Sequence, residues 1–368
     1  MSKLETALVQ LGNKTDERTG AINTPIYLST AYQHQEIGHS TGYDYTRTKN
    51  PTRSVLEEGF AKLEEGDAAF ACSSGMAAIQ LILSSLFRLG DHLIATKDIY
   101  GGTFRIFDHF EKAYNISVTY DDCQDVAQTE RCINENTKAI FLETPTNPLL
   151  QEVDIQKYAN LAKRHNLLLI VDNTFLTPYL QQPITLGADI VVHSATKYIG
   201  GHNDILAGLV VTKTPALSER LFEMHNASGA TLSPSDSWLL IRGLKTLALR
   251  MQRHEENAQQ LAAYLQEHPA IRQVYYPNKG GMISFCLKDA NQVKSFLANL
   301  NLIVFAESLG GVESFITYPT TQTHADMPKE ERISRGIGDD LLRFSVGVED
   351  ADDLKADIEQ ALQVVSKV

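Results

Sequence analysis

Between residues 54 and 212, short runs of consecutive apolar residues alternate with stretches whose apolar residues recur every third or fourth position. The runs AAFACS (68–73), HLIAT (92–96), SVTYDD (117–122), AIFLET (139–144), LLLIVD (167–172), DIVVHS (189–194) and GLVVT (208–212) predict strands. Their apolar character is nearly continuous rather than alternating, which is the pattern of strands buried on both faces. Helical spacing predicts helices over 53–65, over 103–113, 126–134 and 154–165, and from SSGMAA onward. In that last stretch Ile79, Ile82, Leu83, Leu86 and Leu89 share a face, and Gly90 is the stop. The alternation predicts an α/β fold, a mostly parallel seven-stranded sheet flanked by helices.

Past residue 213 the pattern changes. Helices are expected over 213–227 and, as one long element, over 236–266. Short strands follow in MISFCL (282–287) and LLRFSVG (341–347), with helices at 290–299 and 351–366. In the last helix Leu354, Ile358, Ala361, Leu362 and Val365 form an apolar stripe. These elements predict a smaller α+β C-terminal domain. Residues 1–45 contain few periodic segments, and PIYLSTAY (25–32) reads as extended chain, either an arm reaching another subunit or a frayed end. The expected organisation is therefore an arm (1–53), an α/β domain (54–235) and an α+β domain (236–368).

Composition narrows the class of function. With 368 residues, 43% hydrophobic and 21% charged, the chain is long enough for two domains and has no low-complexity tract. A net charge of −12 argues against a nucleic-acid partner, which needs a basic face. No apolar run approaches the roughly 20 residues that span a bilayer, and the polar N-terminus has no signal-peptide core. A cytoplasmic protein with no membrane partner is expected. Cys72, Cys123, Cys132 and Cys286 form no CxxC pair, so reduced thiols are expected. His254-Glu255-Glu256 lacks the second histidine of a zinc helix, and no metal is predicted. No G-x-G-x-x-G or P-loop supports a nucleotide site.

In open α/β sheets ligands sit beyond the carboxyl ends of the strands, and four strand ends here carry chemistry. Ser73-Ser74-Gly75-Met76 is a strand-to-helix turn, where free N–H groups attract an anion, unless it is a plain connection. Asp172 closes a strand and could cap the following turn or hold a protonated ring nitrogen. Lys197, in Ser194-Ala195-Thr196-Lys197, follows another strand. Alone it reads as surface charge. Flanked by hydroxyls and desolvated, it would lose its proton more readily and become a nucleophile. Tyr100, before Gly101-Gly102, could stack on a flat ring or sit at an interface. An anion nest, a carboxylate, an activated lysine and an aromatic platform together describe a site for pyridoxal 5′-phosphate (PLP).

With these residues in view, the chain resembles the Cys/Met-metabolism PLP family, whose members include cystathionine γ-synthases, γ-lyases and β-lyases. The motifs are YTRTKNPTR (45–53), SSGMAA (73–78), YGGT (100–103), ETPTNP (143–148), VDNTF (171–175), SATKYIGGH (194–202), RGLKTL (242–247) and AESLGGVES (306–314). The resemblance implies the aspartate-aminotransferase-like fold (fold type I). It implies that Lys197 carries the cofactor and shuttles protons, and that Asp172 pairs with the ring. Tyr100 would stack and act as acid–base partner. Gly75, Met76, Ser194 and Thr196 would hold the phosphate, completed by Tyr45 and Arg47 of a neighbouring subunit. A dimer would then be the minimal active unit, within a homotetramer. Arg343 with Asn147 would clamp the substrate α-carboxylate, and Ser308 and Thr323 would support the pocket.

For substrate choice, Glu307 matches the glutamate of family members with γ-chemistry, while Arg105 and Glu143 could grip the distal carboxylate or amine of a long substrate. Only Asn278-Lys279 separate Tyr275-Tyr276-Pro277 from Gly280, shorter than in most relatives. These features imply a γ-synthase acting on O-acylhomoserine and cysteine. The alternatives are a cystathionine lyase, an O-acetylhomoserine sulfhydrylase, or a PLP-binding protein without catalysis, which the retained Lys197, Asp172, Tyr100 and Arg343 disfavour.

Overall fold

Seven strands form the larger sheet of the computed structural model, which describes residues 3–325 and 327–365. They are β1 (Ala68–Cys72), β2 (His92–Thr96), β3 (Ser117–Asp121), β4 (Thr137–Glu143), β5 (Leu168–Asp172), β6 (Ile190–Ser194) and β7 (Gly208–Thr212). Their spatial order is β1-β7-β6-β5-β4-β2-β3, and β7 alone runs against its neighbours. The apolar runs supply both faces. Ile140, Leu142, Leu169, Val171, Val191, Leu209 and Val211 point to one core, whereas Phe141, Ile170, Ile190, Val192 and Val210 point to the other. Full burial of such a side chain contributes about 1.5–3 kcal/mol, so continuous apolar strands require a cover on each side.

The helices preceding and crossing this sheet are α1 (Leu4–Gln10), α2 (Pro51–Leu63), α3 (Gly75–Leu86), α4 (Gly101–Tyr114), α5 (Val126–Arg131), α6 (Ile155–Arg164), α7 (Thr177–Leu180) and α8 (Pro215–Ser228). Leu56 and Phe60 of α2 and Tyr158 and Leu161 of α6 cover the first face. Ile79, Ile82 and Leu83 of α3 and Phe107 and Phe110 of α4 cover the second. The helix α1 has no counterpart in the expected pattern. PIYLSTAY forms no strand; one bridge, Ala31 to Tyr45, and hydrogen bonds from Tyr27 N–H to Thr52 and from Asn50 to the Tyr27 carbonyl tie it to the residues that follow.

The expected helix over 236–266 is two elements, α9 (Pro234–Leu244) and α10 (Leu247–Glu267). Gly243 lies in the last turn before the break. A Cβ there would lie 2.5 Å from the Ile199 carbonyl oxygen and 2.7 Å from that of Gly200, so α9 runs directly against the turn after Lys197. Buried Arg250 then bridges the break, donating to the Gly243 carbonyl at 2.8 Å and the Tyr198 carbonyl at 2.6 Å. Helical periodicity continues through the interruption, which is why the sequence reads as one helix.

The second sheet has five strands, β8 (Ile271–Tyr275), β9 (Met282–Leu287), β10 (Val304–Phe305), β11 (Phe315–Thr317) and β12 (Leu341–Ser345), in the order β10-β11-β12-β9-β8. With α11 (Val293–Ala298), α12 (Lys329–Ser334) and α13 (Ala351–Val365) it completes the chain. Leu342 and Phe344 of β12 pack with Leu354, Ile358 and Leu362 of α13. The side chain of Val365 lies outside the described residues. Because strand side chains alternate, Arg343 projects from the face opposite Leu342 and Phe344, toward the larger sheet.

Candidate active site

The carboxyl ends of β1, β2, β4, β5 and β6 open onto one cleft. Gly75, Met76, Tyr100, Glu143, Asn147, Asp172, Ser194, Thr196, Lys197, Glu307, Ser308, Thr323 and Arg343 all line it. Three expected residues do not. Tyr45 and Arg47 lie outside this chain's cleft, half exposed on the arm, with Arg47 5.7 Å from the Tyr45 ring centroid and its Nε donating to Asn226 at 3.4 Å. Arg105, on α4, lines an adjoining cavity with Phe104, Asp108, His324 and Glu331. Thr323 is the wall common to the two.

The turn into α3 is built for close approach. Ser74 caps the helix by accepting from Ala77 N–H at 3.0 Å, while the N–H groups of Gly75 and Met76 have no acceptor among the described residues. A Cβ on Gly75 would come within 2.9 Å of the Ser194 Cβ, so only glycine brings this backbone against β6. The Thr196 hydroxyl exchanges hydrogen bonds with the carbonyl and N–H of Ala207 at 3.2 and 3.0 Å. A Cβ on Gly102 would lie 2.4 Å from Cε1 of Tyr100, whose ring therefore folds back over the start of α4.

Asp172 accepts two hydrogen bonds from Thr174 at one oxygen, Oδ1, from the N–H at 3.0 Å and the hydroxyl at 2.6 Å. Oδ2 remains for a ligand. Burial raises its carboxyl, against the lowering effect of the Thr174 hydrogen bonds, so a cationic partner is what this site lacks. Thr174 also receives Ser194 N–H at 2.8 Å, tying the Asp172 turn to the lysine strand. Thr174 was outside the expected set, although an Asp followed two residues later by Thr is a recognisable turn signal.

Lys197 is lowered to about 8, first by burial, then by the Arg343 charge, with Glu307 opposing. Arg343 is itself lowered to about 10 by burial. It donates to Asn147 Oδ1 at 2.9 Å, to the Thr317 hydroxyl at 3.2 Å and to the Ser308 carbonyl at 3.4 Å. Among the described residues its Nε is buried without a partner, a donor left over for an incoming carboxylate. Ser308 thus contributes its backbone, and Thr317 is a further support that sequence reasoning did not name. Exposed Leu206 also lines the cleft, outside the expected set.

This arrangement of an anion nest, a desolvated amine and a buried guanidinium on an α/β sheet defines a PLP-dependent enzyme of amino-acid chemistry. The chain matches the family described as "Cys/Met metabolism PLP-dependent enzyme" over residues 5–363, and it belongs to that family. It is 59% identical over 359 residues to cystathionine gamma-synthase of Haemophilus influenzae, covering 97% of each chain. It is equally identical over 359 residues to cystathionine gamma-synthase/O-acetylhomoserine (thiol)-lyase of Bacillus subtilis, covering 98% of this chain and 96% of the relative. A cystathionine gamma-lyase of the same Bacillus is 48% identical over 377 residues, covering 98% and 99%. The crystal structure of cystathionine gamma synthase from Xanthomonas oryzae pv. oryzae in complex with aminoacrylate and cysteine superposes with a TM-score of 0.98. It is 39% identical, covering 100% of this chain and 99% of that one. The protein is a PLP-dependent enzyme of cystathionine metabolism. No helix among the described residues is long and apolar enough to cross a membrane.

The cleft fits that cofactor on three counts. The Gly75 cradle would be filled by any Cβ, the Gly75 and Met76 N–H groups await an anion, and the free Oδ2 of Asp172 awaits a cation.

Proposed function

We propose that the protein is a cystathionine γ-synthase, which replaces the acyl group of O-acyl-L-homoserine, acetyl or succinyl, by L-cysteine to give L-cystathionine. The observation that carries this reading is the grouping of Lys197, Arg343 and Glu307 in one cleft, with Glu307 exposed at its edge. Gly75, Met76, Ser194 and Thr196 would hold the cofactor phosphate, Asp172 its ring nitrogen, and Tyr100 would stack on its face. Bound there, the cofactor serves as an electron sink for carbanions at the substrate Cα.

The chain's own groups do the rest. Arg343, pre-set by Asn147, grips the α-carboxylate and fixes Cα beside Lys197. The neutral Lys197 amine takes the Cα proton, releases it to the solvent of the cleft and, neutral again, takes a Cβ proton. The Cγ–O bond breaks and the acyl group leaves as a carboxylate. The cysteine thiol gives its proton to the released carboxylate, its sulfur forms the Cγ–S bond, and one proton returns to each of Cβ and Cα. Tyr100 is the acid–base partner on the Cγ side, and Ser308 and Thr323 hold the pocket walls. Glu307 takes the distal ammonium of cysteine or cystathionine.

Tyr45 and Arg47 complete the phosphate site of a neighbouring subunit, so the active unit is a dimer within a homotetramer in the cytoplasm. Co-assembly tests this. Lys197→Ala and Arg47→Ala variants, each inactive alone, should regain activity when refolded together, and a mixture that stays inactive refutes the shared site.

For the reaction, O-acetyl- and O-succinyl-homoserine are supplied with cysteine, and cystathionine is supplied alone. Cystathionine formation is expected. Release of 2-oxobutyrate and cysteine from cystathionine at the higher kcat/KM would instead establish the second reading, a γ-lyase, which the 48% identical lyase relative favours.

A further inference from the structure

The loops that follow β2 and β4 are joined by two buried carboxyl groups crossing in opposite directions. Glu143, the last residue of β4, accepts from the N–H of Tyr100 at 3.0 Å, on the loop after β2. Asp98, on that β2 loop, reaches back. Its Oδ2 accepts from the Thr146 hydroxyl and from Leu149 N–H at 3.1 Å, on either side of Asn147. The Thr96 hydroxyl, at the end of β2, accepts from Glu143 N–H at 3.0 Å and locks the base of the pair. Each loop thus supplies the acid that holds the other. Burial raises Asp98 to about 6 and Glu143 well above the usual carboxylate range, the latter helped by Asp172, its partner across the strand pair. Glu143 is thus engaged by a backbone N–H of its own chain, although its sequence position suggested a grip on the substrate's distal carboxylate or amine.

We propose that Glu143 and Asp98 are positioning residues, a reciprocal clamp that sets Tyr100 and Asn147 as one unit. A backbone N–H held by a buried acceptor fixes where its residue sits. Here that residue is Tyr100, while Asp98 holds the turn that presents Asn147 to Arg343. The clamp rests on the roles given above to Tyr100 and Asn147, and its test separates the two.

The measurements are the dissociation constant of PLP from the enzyme, by circular dichroism of the bound cofactor, and KM for O-acylhomoserine. They are made on Glu143→Leu, Asp98→Leu and the double variant. Each single variant should weaken both constants about two- to tenfold, the worth of one stacked aromatic pair. The double variant should be no worse than the poorer single, because a unit fails once. Additive losses, or a Glu143→Leu enzyme with unchanged cofactor affinity, overturn the proposal.

Glu143→Gln keeps a carbonyl for Tyr100 N–H and should recover most of the affinity that leucine loses, with an unshifted pH profile of kcat/KM. If it instead raises KM for cystathionine but not for O-acylhomoserine, which has no distal ammonium, Glu143 is a substrate ligand and the clamp is refuted. Should the leucine variants not fold, this glutamine variant decides alone. Tyr100→Ala and Asn147→Ala serve as references. If they leave both constants unchanged, the roles of those residues fail. If they impair them and the leucine variants do not, the clamp alone fails.

Discussion

The amine of Lys197 should impose a pH-dependent cost on the folded apo-protein, and Lys197→Met should remove it. Burial, with Arg343 adding to it, lowers this amine from 10.5 to about 8. At about 1.4 kcal/mol per unit, the difference corresponds to about 3 kcal/mol. Proton counting sets the direction. Below about pH 8 the lysine is protonated in both folded and unfolded chains, and the folded state bears the full cost. Between about 8 and 10.5 the unfolded chain retains a proton that the folded amine has lost, so stability conferred by this group rises with pH. Above 10.5 both forms are neutral and the cost vanishes. Urea unfolding of apo wild type and apo Lys197→Met, from pH 7 to 10, isolates the effect, since other titrating groups cancel in the difference. Methionine should hold its greatest relative advantage at pH 7 and lose about 3 kcal/mol of it as pH climbs through the window. A constant offset reflects packing alone. A difference that stays flat across the range would refute the desolvated-amine argument, and with it the reason Lys197 acts as a base near neutral pH.

Three further outcomes follow from the site. Asp172→Asn should fold and bind cofactor but lose about 10² to 10³ in kcat, because the charge opposite the ring nitrogen is gone; unchanged turnover in steady-state assays would remove Asp172 from its role. Arg343→Lys should raise KM for O-acylhomoserine by roughly 10- to 100-fold with a smaller change in kcat, since a point charge replaces a planar fork held by Asn147, Thr317 and Ser308. Gly75→Ala, whose Cβ would press on Ser194 at 2.9 Å, should weaken PLP binding at least about tenfold in equilibrium dialysis while urea unfolding of the apo-protein moves little; an unchanged affinity would move the phosphate elsewhere.

The patterning of the chain made the strands legible because each lies buried on both faces, and period-two packing into two cores demands apolar residues at every position. It also exposed the residues after each strand, since chemistry at the end of a buried run stands out against it. Lys197, Asp172, Tyr100 and Gly75 were found that way, and the resemblance to the PLP family supplied Arg343 and Asn147. What the chain's order alone could not carry is which groups face each other. The split between α9 and α10 falls where Gly243 packs against the turn after Lys197, more than forty residues earlier. Arg105 reads as a cleft residue beside Tyr100, yet its place on α4 directs it to the far side of Thr323. Glu143 reads as a charged grip, yet it is buried beside Asp172 and accepts the N–H of Tyr100. Local sequence determined the elements and the inventory of reactive groups, because both depend on neighbours along the chain. Tertiary structure decided desolvation, partner and direction, because those depend on residues that only folding brings together.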